Sequence, residues 1–234
     1  MEAVFSRLEQ LERKFSAHSF FHHLSRRTDA AHVLRDTAAI GFWIFAFQDV
    51  LRLNVERMRD PDLARLVERH RAEESGHDCW FLEDLQALGI DRPDAASLFG
   101  AGSFAARSAT YRIMAEVLRT GSDEERVVLL LAMEATGHIF FDRMSRYVRA
   151  HPSLPALRYF SSFHLDCEED HEMFETDMQK FLLSRSLSDV QRAACLALCD
   201  RVFQALSDML DNLALRIADS AARPDGADRL ISFG

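Results

Sequence analysis

Strand-forming patterns are nearly missing from this sequence, and so are the residues that break helices. There is no sustained alternation of β-branched and polar residues, and the 234 residues include only nine glycines and five prolines. Apolar residues instead recur at helical spacing, as at Val4, Leu8, Leu11 and Phe15. The sequence therefore predicts an all-α fold, with a single-domain helical bundle over residues 1–222 and a C-terminal tail over residues 223–234.

The few helix breakers and cap signals set the bounds of about seven helices. Ser122, with Glu125 three residues later, is a capping-box pattern that opens the fifth helix. The first helix allows a bend at residues 16–19. The predicted helices run from about Glu2 to Leu24, Asp29 to Met58, Pro61 to Leu88, Ser103 to Arg119, Ser122 to the residue before Pro152, Pro155 to Leu183, and Ser188 to Ala222.

Cysteine and charge usage exclude several classes of protein. The four cysteines form no Cys-x-x-Cys pair, and a chain of this size needs no disulfides. The net charge is −9 and no dense basic cluster occurs, which argues against a nucleic-acid partner. The most apolar run, Ala38–Phe47, has ten residues, whereas a membrane span needs about twenty. A cytoplasmic protein with no membrane partner is the expectation.

One octet carries the strongest chemical signal. His164, Glu168 and His171 stand at i, i+4 and i+7, so on a helix of about 100° per residue they share a sector of roughly 60°. Aromatic residues flank the octet, and polar side chains in an apolar setting need a partner. Two imidazoles and a carboxylate suit iron, manganese or zinc. The alternative, a solvated acidic face, fits the neighbouring Asp166 and Glu169.

Two other stretches carry the same residue types. Glu74 and His77 are three apart, a spacing at which one metal takes both side chains, and Glu73 could replace Glu74. His70 shares the face of His77, as a ligand or as the partner of a ligand. The alternative is a surface Glu–His pair.

A lone glutamate stands in a strongly apolar run. Glu134 follows Leu129-Leu130-Leu131-Ala132-Met133, a context that is hard to reconcile with a solvated side chain. Such a carboxylate can bridge two metals in a helical bundle. His138, four residues later, is a secondary candidate that can equally form a hydrogen bond in the core.

Other reactive residues allow different functions. His18, His22 and His23 cluster near the N-terminus, and one of them could be a haem ligand, although Phe20-Phe21 between them favours a helix packed on the core. Cys167 lies inside the octet and could be a nucleophile, although a buried structural thiol is the more ordinary state.

These motifs together resemble a known family. A helix with Glu and His, a second with a lone Glu and a third with His-x3-Asp/Glu-x2-His are similar to the haem-oxygenase-like di-metal oxidases, relatives by fold of the thiamin-salvage TenA proteins. The segments Glu73–Gly89 and His18–Phe21 are also similar, and the resemblance covers roughly residues 15–185. It implies a haem-oxygenase/TenA-like bundle whose two metals are held by Glu74, His77, Glu134, His164, Glu168 and His171.

The sequence departs from that family pattern at two positions. Most members have Asp where Glu168 stands. Many also use a carboxylate from the helix before the Glu-x2-His helix, where the nearest acids here are Asp36 and Asp49. The second metal position is therefore expected to be short of one ligand, loosely occupied, or assembled only with substrate. The same ligand order resembles the ferritin-like di-iron N-oxygenases, which form the competing structural class.

The resemblance implies a non-haem di-iron oxidase that uses O₂ to oxidise a small organic substrate, by carbon–carbon cleavage or N-oxygenation. Its cofactor would be two iron ions, with manganese or zinc as alternatives. The competing function is a metal-independent TenA-like hydrolase or small-molecule binder that works through a cysteine. A homodimer through the last helix is one expectation, and packing in the core explains the same apolar stripe equally well. The stripe comprises Leu206, Met209, Leu210, Leu213 and Ile217.

Overall fold

A computed structural model describes residues 1–169 and 176–221, and it describes residues 168–169, 176–178 and 220–221 by their backbone alone. Within these residues the chain is helical and has no strand, which confirms the all-α prediction. Short 3₁₀ turns lie at Ala38–Ile40 and Ala101–Ser103. The helices are α1 Glu2–Ser16, α2 Ser19–Ser25, α3 Ala30–Thr37, α4 Gly41–Val55, α5 Pro61–Glu73, α6 His77–Ala87, α7 Ala95–Phe99, α8 Phe104–Arg119, α9 Asp123–Arg149, α10 Ser162–Glu169, α11 Thr176–Ser184 and α12 Asp189–Ala221.

Several predicted long helices are divided in the structure. The first breaks because His18 is extended and its Nδ1 caps the N–H of Phe20, which starts α2. The third breaks because Gly76 adopts a left-handed φ of +94°, which separates α5 from α6. The sixth begins at Ser162 rather than Pro155. The breaks at His18 and Gly76 thus divide long predicted helices into shorter ones that belong to the same bundle.

Other helix ends lie where their cap residues predict. The hydroxyl of Ser122 accepts a hydrogen bond from the N–H of Glu125, and Glu125 reaches back to the N–H of Gly121. Asp60 caps α5 through the N–H groups of Asp62 and Leu63. Since Asp123 also accepts from the N–H of Asp60, the first turns of α5 and α9 are tied together.

Helix α9 runs through the centre of the bundle and is buried over most of its length. Helix α12 packs against α9, α8, α1 and α2. This packing buries the apolar stripe of α12 inside the chain: Leu206, Met209, Leu210, Leu213 and Ile217 are all 6% exposed or less. The surface expected to form a homodimer is therefore core, because the partner of that stripe is the chain's own helices. Homodimerisation itself stays a prediction.

One stretch of the described residues, Ala30–Val55, has the length and composition of a membrane-spanning helix, with a mean hydropathy of 1.2. In the structure it is two helices joined by the Ala38–Ile40 turn, and α4 packs on α5 and α8. Core helices of globular proteins have the same composition, so this stretch is weak evidence for a membrane span. The cytoplasmic location and the domain bounds stay predictions, and the tail at 223–234 lies outside the described residues.

Candidate metal centre

Five polar side chains from four helices meet in the interior of the bundle. His70 lies on α5, and Glu74 is the residue after the end of that helix. His77 begins α6, Glu134 lies at the middle of α9, and His164 lies on α10. None is more than 5% exposed. Two buried carboxylates in one apolar region require positive charge or several hydrogen bonds nearby, since an isolated buried charge is very costly.

The donor atoms of these side chains lie close to one another. Nε2 of His70 is 3.0 Å from Oε1 of Glu134, and Nδ1 of His77 is 3.0 Å from Oε2 of Glu74. Nε2 of His164 is 3.1 Å from the same Nδ1 of His77. One ligand atom each from His70, Glu74 and Glu134 lie within 4.8 Å of one another. The five side chains thus form one connected cluster.

The cluster fits a transition metal. Metal–nitrogen and metal–oxygen bonds of about 2.0–2.2 Å place neighbouring ligand atoms about 3 Å apart when they meet the metal at right angles. The separations of 3.0, 3.0 and 3.1 Å are close to that spacing, and they are also the lengths of direct hydrogen bonds. Mixed imidazole and carboxylate donors suit iron, manganese or zinc rather than calcium or magnesium.

The tautomer of His164 is fixed by its main-chain partner. Its Nδ1 lies 3.0 Å from the carbonyl oxygen of Tyr159, and a carbonyl can only accept, so Nδ1 carries the proton. Nε2 therefore presents its lone pair to the cluster. A metal-ligating histidine that donates its other N–H to a carbonyl is the usual arrangement, because the hydrogen bond orients the ring.

A buried carboxylate holds the loop that carries Tyr159. Asp84 on α6 accepts hydrogen bonds from the main-chain N–H of Arg158 at 2.7 Å and of Phe160 at 3.0 Å. Burial raises the pKa of the Asp84 carboxyl, and the main-chain hydrogen bonds oppose that rise. Asp84 thus fastens residues 158–160 to α6, beside the ring of His164.

Several other residues predicted as ligands lie elsewhere. Glu73 does not line the cavity beside the cluster and pairs with Arg69, with Nε and Oε1 3.1 Å apart. His138 is exposed on α9, where it interacts electrostatically with Glu12. The side chain of Glu168 and the whole of His171 lie outside the described residues, so their roles stay predictions.

A cavity of about 90 Å³ adjoins the cluster, and four of the five donors line it: Glu74, His77, Glu134 and His164. Its other walls are largely apolar and come from α1, the Ala38–Ile40 turn, α4, α9, the loop before α10 and α12. They comprise Phe15, Ile40, Trp43, Ile44, Phe47, Met133, Phe140, Phe141, Tyr159, Leu206, Met209 and Leu210. Gln48, Asp78 and Thr136 add a few polar groups. A mostly apolar cavity with a few convergent polar groups is typical of small-molecule sites.

Aromatic rings cover the cluster on the side of α6 and α10. The Trp80 ring stacks on His77 with centroids 4.3 Å apart, and the Phe141 ring lies 3.8 Å from that of His164. The guanidinium of Arg158 lies 4.9 Å from the Trp80 ring and 4.8 Å from the Phe163 ring. These rings shield His77 and His164 from solvent.

None of the reactive groups considered as alternatives is among the described lining residues of the cavity, and Cys167 on α10 is partly exposed. The described lining of the cavity includes no cysteine. Cys79 is exposed, and burial raises the pKa values of Cys195 and Cys199 to about 12. His18 caps α2 and pairs with Asp211, with Nε2 and Oδ1 3.2 Å apart, while His22 and His23 are exposed.

The sequence predicts a smaller role for His70 than its place in the cluster indicates. The structure places it against Glu134, whereas the sequence named it only as a secondary candidate. The available signal was its spacing: His70, Glu74 and His77 repeat the i, i+4, i+7 pattern of His164, Glu168 and His171. Since Gly76 interrupts the helix between Glu74 and His77, a shared helical face alone does not explain this cluster.

Comparison with known proteins gives structural relatives only. No protein-family model matches the chain, and no curated protein is detectably similar to it in sequence. Solved structures do match. A TenA homologue from Pseudomonas syringae pv. tomato is 13% identical and covers 91% of each chain, with a TM-score of 0.66. A CADD-like protein of unknown function from Nostoc punctiforme is 15% identical and covers 94% of this chain and 98% of its own, with a TM-score of 0.67.

A domain of unknown function with a haem-oxygenase-like fold, from Shewanella denitrificans, is also 15% identical. It covers 99% of this chain and 96% of its own, with a TM-score of 0.67. At such identities the likeness shows the fold alone. The fold is therefore the predicted haem-oxygenase/TenA-like bundle, and not the ferritin-like bundle that the ligand order also resembles.

Proposed function

We propose that this protein is a non-haem di-iron oxidase that uses O₂ to oxidise a small, largely apolar organic molecule. The observation that carries the proposal is the buried cluster of His70, Glu74, His77, Glu134 and His164 beside an apolar cavity. When bound, two ferrous ions would supply open coordination positions and two of the four electrons that reduce O₂, the substrate would supply the other two, and an external reductant would return the ions to the ferrous state.

The chain's own residues bind and orient the reactants. Trp43, Phe47 and Phe140 line the cavity and exclude water, which strengthens electrostatic interactions inside it. Gln48 donates its side-chain N–H to the carbonyl of Glu74 at 2.8 Å, so its carbonyl oxygen remains to orient a polar group of a substrate. His164 is held with Nε2 toward the cluster by its bond to Tyr159.

Adjacent glutamates provide a matched test. Wild-type protein, Glu74→Gln and Glu73→Gln would be loaded with ferrous iron under anaerobic conditions, desalted and analysed for iron. Wild type and Glu73→Gln should retain iron and change their near-ultraviolet absorbance when O₂ is added, because Glu73 bonds Arg69 outside the cluster. Glu74→Gln should lose most of that iron.

Two results would contradict the proposal. One is wild-type protein with well below one metal per chain after loading. The other is iron-loaded protein that shows no optical change with O₂. Loading in parallel with manganese or zinc identifies the preferred ion, since the same donor types accept all three.

The likeness to TenA homologues supports a second candidate, a metal-independent hydrolase or small-molecule binder of the same fold. That chemistry needs a thiol nucleophile, and the described lining of the cavity includes none. Hydrolysis of a thiamin-type aminopyrimidine that persists with a chelator present would favour this candidate. Loss of that hydrolysis in Cys79→Ser or Cys167→Ser would assign the nucleophile.

A further inference from the structure

Helix α4, which precedes the helix that ends beside Glu74, brings no described carboxylate to the metal cluster. The residues of α4 that line the cavity are Trp43, Ile44, Phe47 and Gln48. Asp49 is exposed on another face of α4 and pairs with Arg52 at 3.3 Å. Asp36 on α3 lies 3.7 Å from His32. Both acids that the family resemblance pointed to are therefore engaged away from the cavity.

His70 stands where an additional ligand is needed. It lies one helical turn before Glu74 and is 1% exposed, and its Nε2 is 3.0 Å from Oε1 of Glu134. Its ligand atom lies within 4.8 Å of those of Glu74 and Glu134. We infer that His70 is a metal ligand that takes the place of the missing carboxylate, an inference that rests on the proposed function.

The distances then divide the cluster into two donor groups that share Glu74. One group contains His70, Glu74 and Glu134, with one imidazole and two carboxylates. The other contains Glu74, His77 and His164, with two imidazoles and one carboxylate. Glu74 therefore lies between the two groups, the position that the sequence alone assigned to Glu134. The group that includes His70 depends on it for its only described imidazole.

The competing explanation is a purely structural hydrogen bond between His70 and Glu134. The variant His70→Gln separates the two roles, because glutamine keeps an N–H donor for Glu134 but its amide is a poor ligand for iron. His138→Gln is the matched control, since it makes the same change at the exposed histidine of α9.

The experiment measures iron per chain in the full-length protein after anaerobic loading and desalting, and affinity by titration. Wild type and His138→Gln should retain two irons per chain. His70→Gln should retain about one, with affinity for the other lowered more than about a hundredfold, because loss of a mere partner of a metal ligand typically lowers affinity by only 10–100-fold. Mössbauer spectra should show two ferrous signals in wild type and one in His70→Gln. Two irons bound with unchanged affinity by His70→Gln would overturn the inference.

A second variant tests the role even if His70→Gln folds poorly. In His70→Glu, a metal role predicts two irons and a melting temperature that rises on iron loading, because the metal neutralises the added charge beside Glu134. A structural role predicts destabilisation that iron does not relieve, which would overturn the inference. Failure of the proposed function looks different. Wild type that binds two irons without reacting with O₂ contradicts the oxidase and supports the two-position site, whereas wild type that binds no iron contradicts both.

Discussion

Oδ2 of Asp84 accepts a hydrogen bond from the main-chain N–H of Phe160 at 3.0 Å, across 76 residues of sequence. Its Oδ1 accepts from the N–H of Arg158 at 2.7 Å, so both carboxylate oxygens hold the loop before α10. Tyr159 lies between these two residues, and its carbonyl oxygen accepts the Nδ1 proton of His164. The orientation of His164 in the cluster therefore depends on a carboxylate that does not itself belong to the cluster.

Replacement of this carboxylate should affect both stability and metal binding. In Asp84→Asn the side-chain NH₂ faces a main-chain N–H, which leaves a buried donor unsatisfied and costs about 2 kcal/mol. For a chain of this size that lowers the melting temperature by roughly 4–8 °C. Iron affinity should fall at least about tenfold, because the ring of His164 loses its fixed orientation.

Glu83 gives a control for Asp84. It is the preceding acid on α6, and it pairs at the surface with Arg158, with Oε2 and Nη1 3.0 Å apart. An exposed ion pair contributes at most about 1 kcal/mol, so Glu83→Gln should leave iron binding unchanged. Equal iron affinity in Asp84→Asn and Glu83→Gln, measured by titration, would contradict the role given to Asp84.

A buried glutamate should make stability depend on acid. Glu116 accepts two hydrogen bonds from Arg201, at 2.8 and 3.0 Å, and also bonds Arg119. Burial raises the pKa of Glu116, but these guanidinium groups outweigh burial and lower it below the ordinary 4.5. The folded state therefore holds the charged form more strongly, and the stability that Glu116 contributes is present above pH 4.5 and lost as the pH falls through the lowered pKa.

Glu116→Gln should consequently lose more stability relative to wild type at neutral pH than in acid. At pH 7 we expect a loss of about 2 kcal/mol, the scale of a hydrogen bond to a charged group. The difference from wild type should shrink as the pH falls from 4.5 through the lowered pKa of Glu116, because the unfolded state takes up its proton first and the folded state follows. Urea unfolding at pH 7 and pH 4 checks this, with Glu9→Gln as control, because Glu9 is exposed and lies 4.0 Å from its nearest cation, Arg13. A difference that stays constant with pH would contradict the assignment.

The sequence predicts local features of the fold well. Ser122 and Asp60 mark the starts of α9 and α5 because their side chains satisfy the first N–H groups of the helix, a requirement of adjacent residues only. The sequence does not predict the break at Gly76, because glycine is tolerated inside helices and its left-handed φ is set by packing on either side.

The candidate site was predictable in part for a related reason. Glu134 stood out because its apolar neighbours made a solvated glutamate improbable, and it is buried. His70 and the apolar walls from α12 did not stand out, because their roles depend on which helices meet. Leu206 and Leu210 follow the same periodicity whether they line a cavity, fill the core or face a second chain.

The cysteines should differ widely in reactivity. Cys79 is exposed, whereas burial raises the pKa values of Cys195 and Cys199 to about 12. At pH 8 about one in ten thousand of these two thiols is ionised, and the thiolate is the reacting form. A disulfide reagent should therefore modify Cys79 rapidly and leave Cys195 and Cys199 unmodified until denaturant is added. Cys167 is partly exposed, so Cys79→Ser should abolish the fast phase only when it is combined with Cys167→Ser. Rapid modification of Cys195 in folded protein would contradict the packing of α12.

Two glycines near the cluster should respond in opposite ways to the same substitution. Gly137 lies within α9 and lines the cavity, and a methyl group added there would meet no atom within 4 Å. Gly137→Ala should therefore stabilise the protein by about 1 kcal/mol, the helix-propensity difference between the two residues, and raise the melting temperature by roughly 2–4 °C. Iron content should be unchanged, because no donor atom moves.

Gly76 is the contrasting site. Its φ of +94° is unfavourable for a residue with a side chain, although a methyl group would meet nothing within 4 Å there either. Gly76→Ala should therefore lose about 1–2 kcal/mol through backbone strain alone. Gly76 connects α5 to α6 and so holds Glu74 beside His77. Relief of the strain should therefore increase the distance between Oε2 of Glu74 and Nδ1 of His77, which is 3.0 Å, and weaken iron binding. Thermal unfolding and iron titration of both variants measure this, and equal stability of Gly76→Ala and Gly137→Ala would show that the α5–α6 joint does not need a left-handed residue.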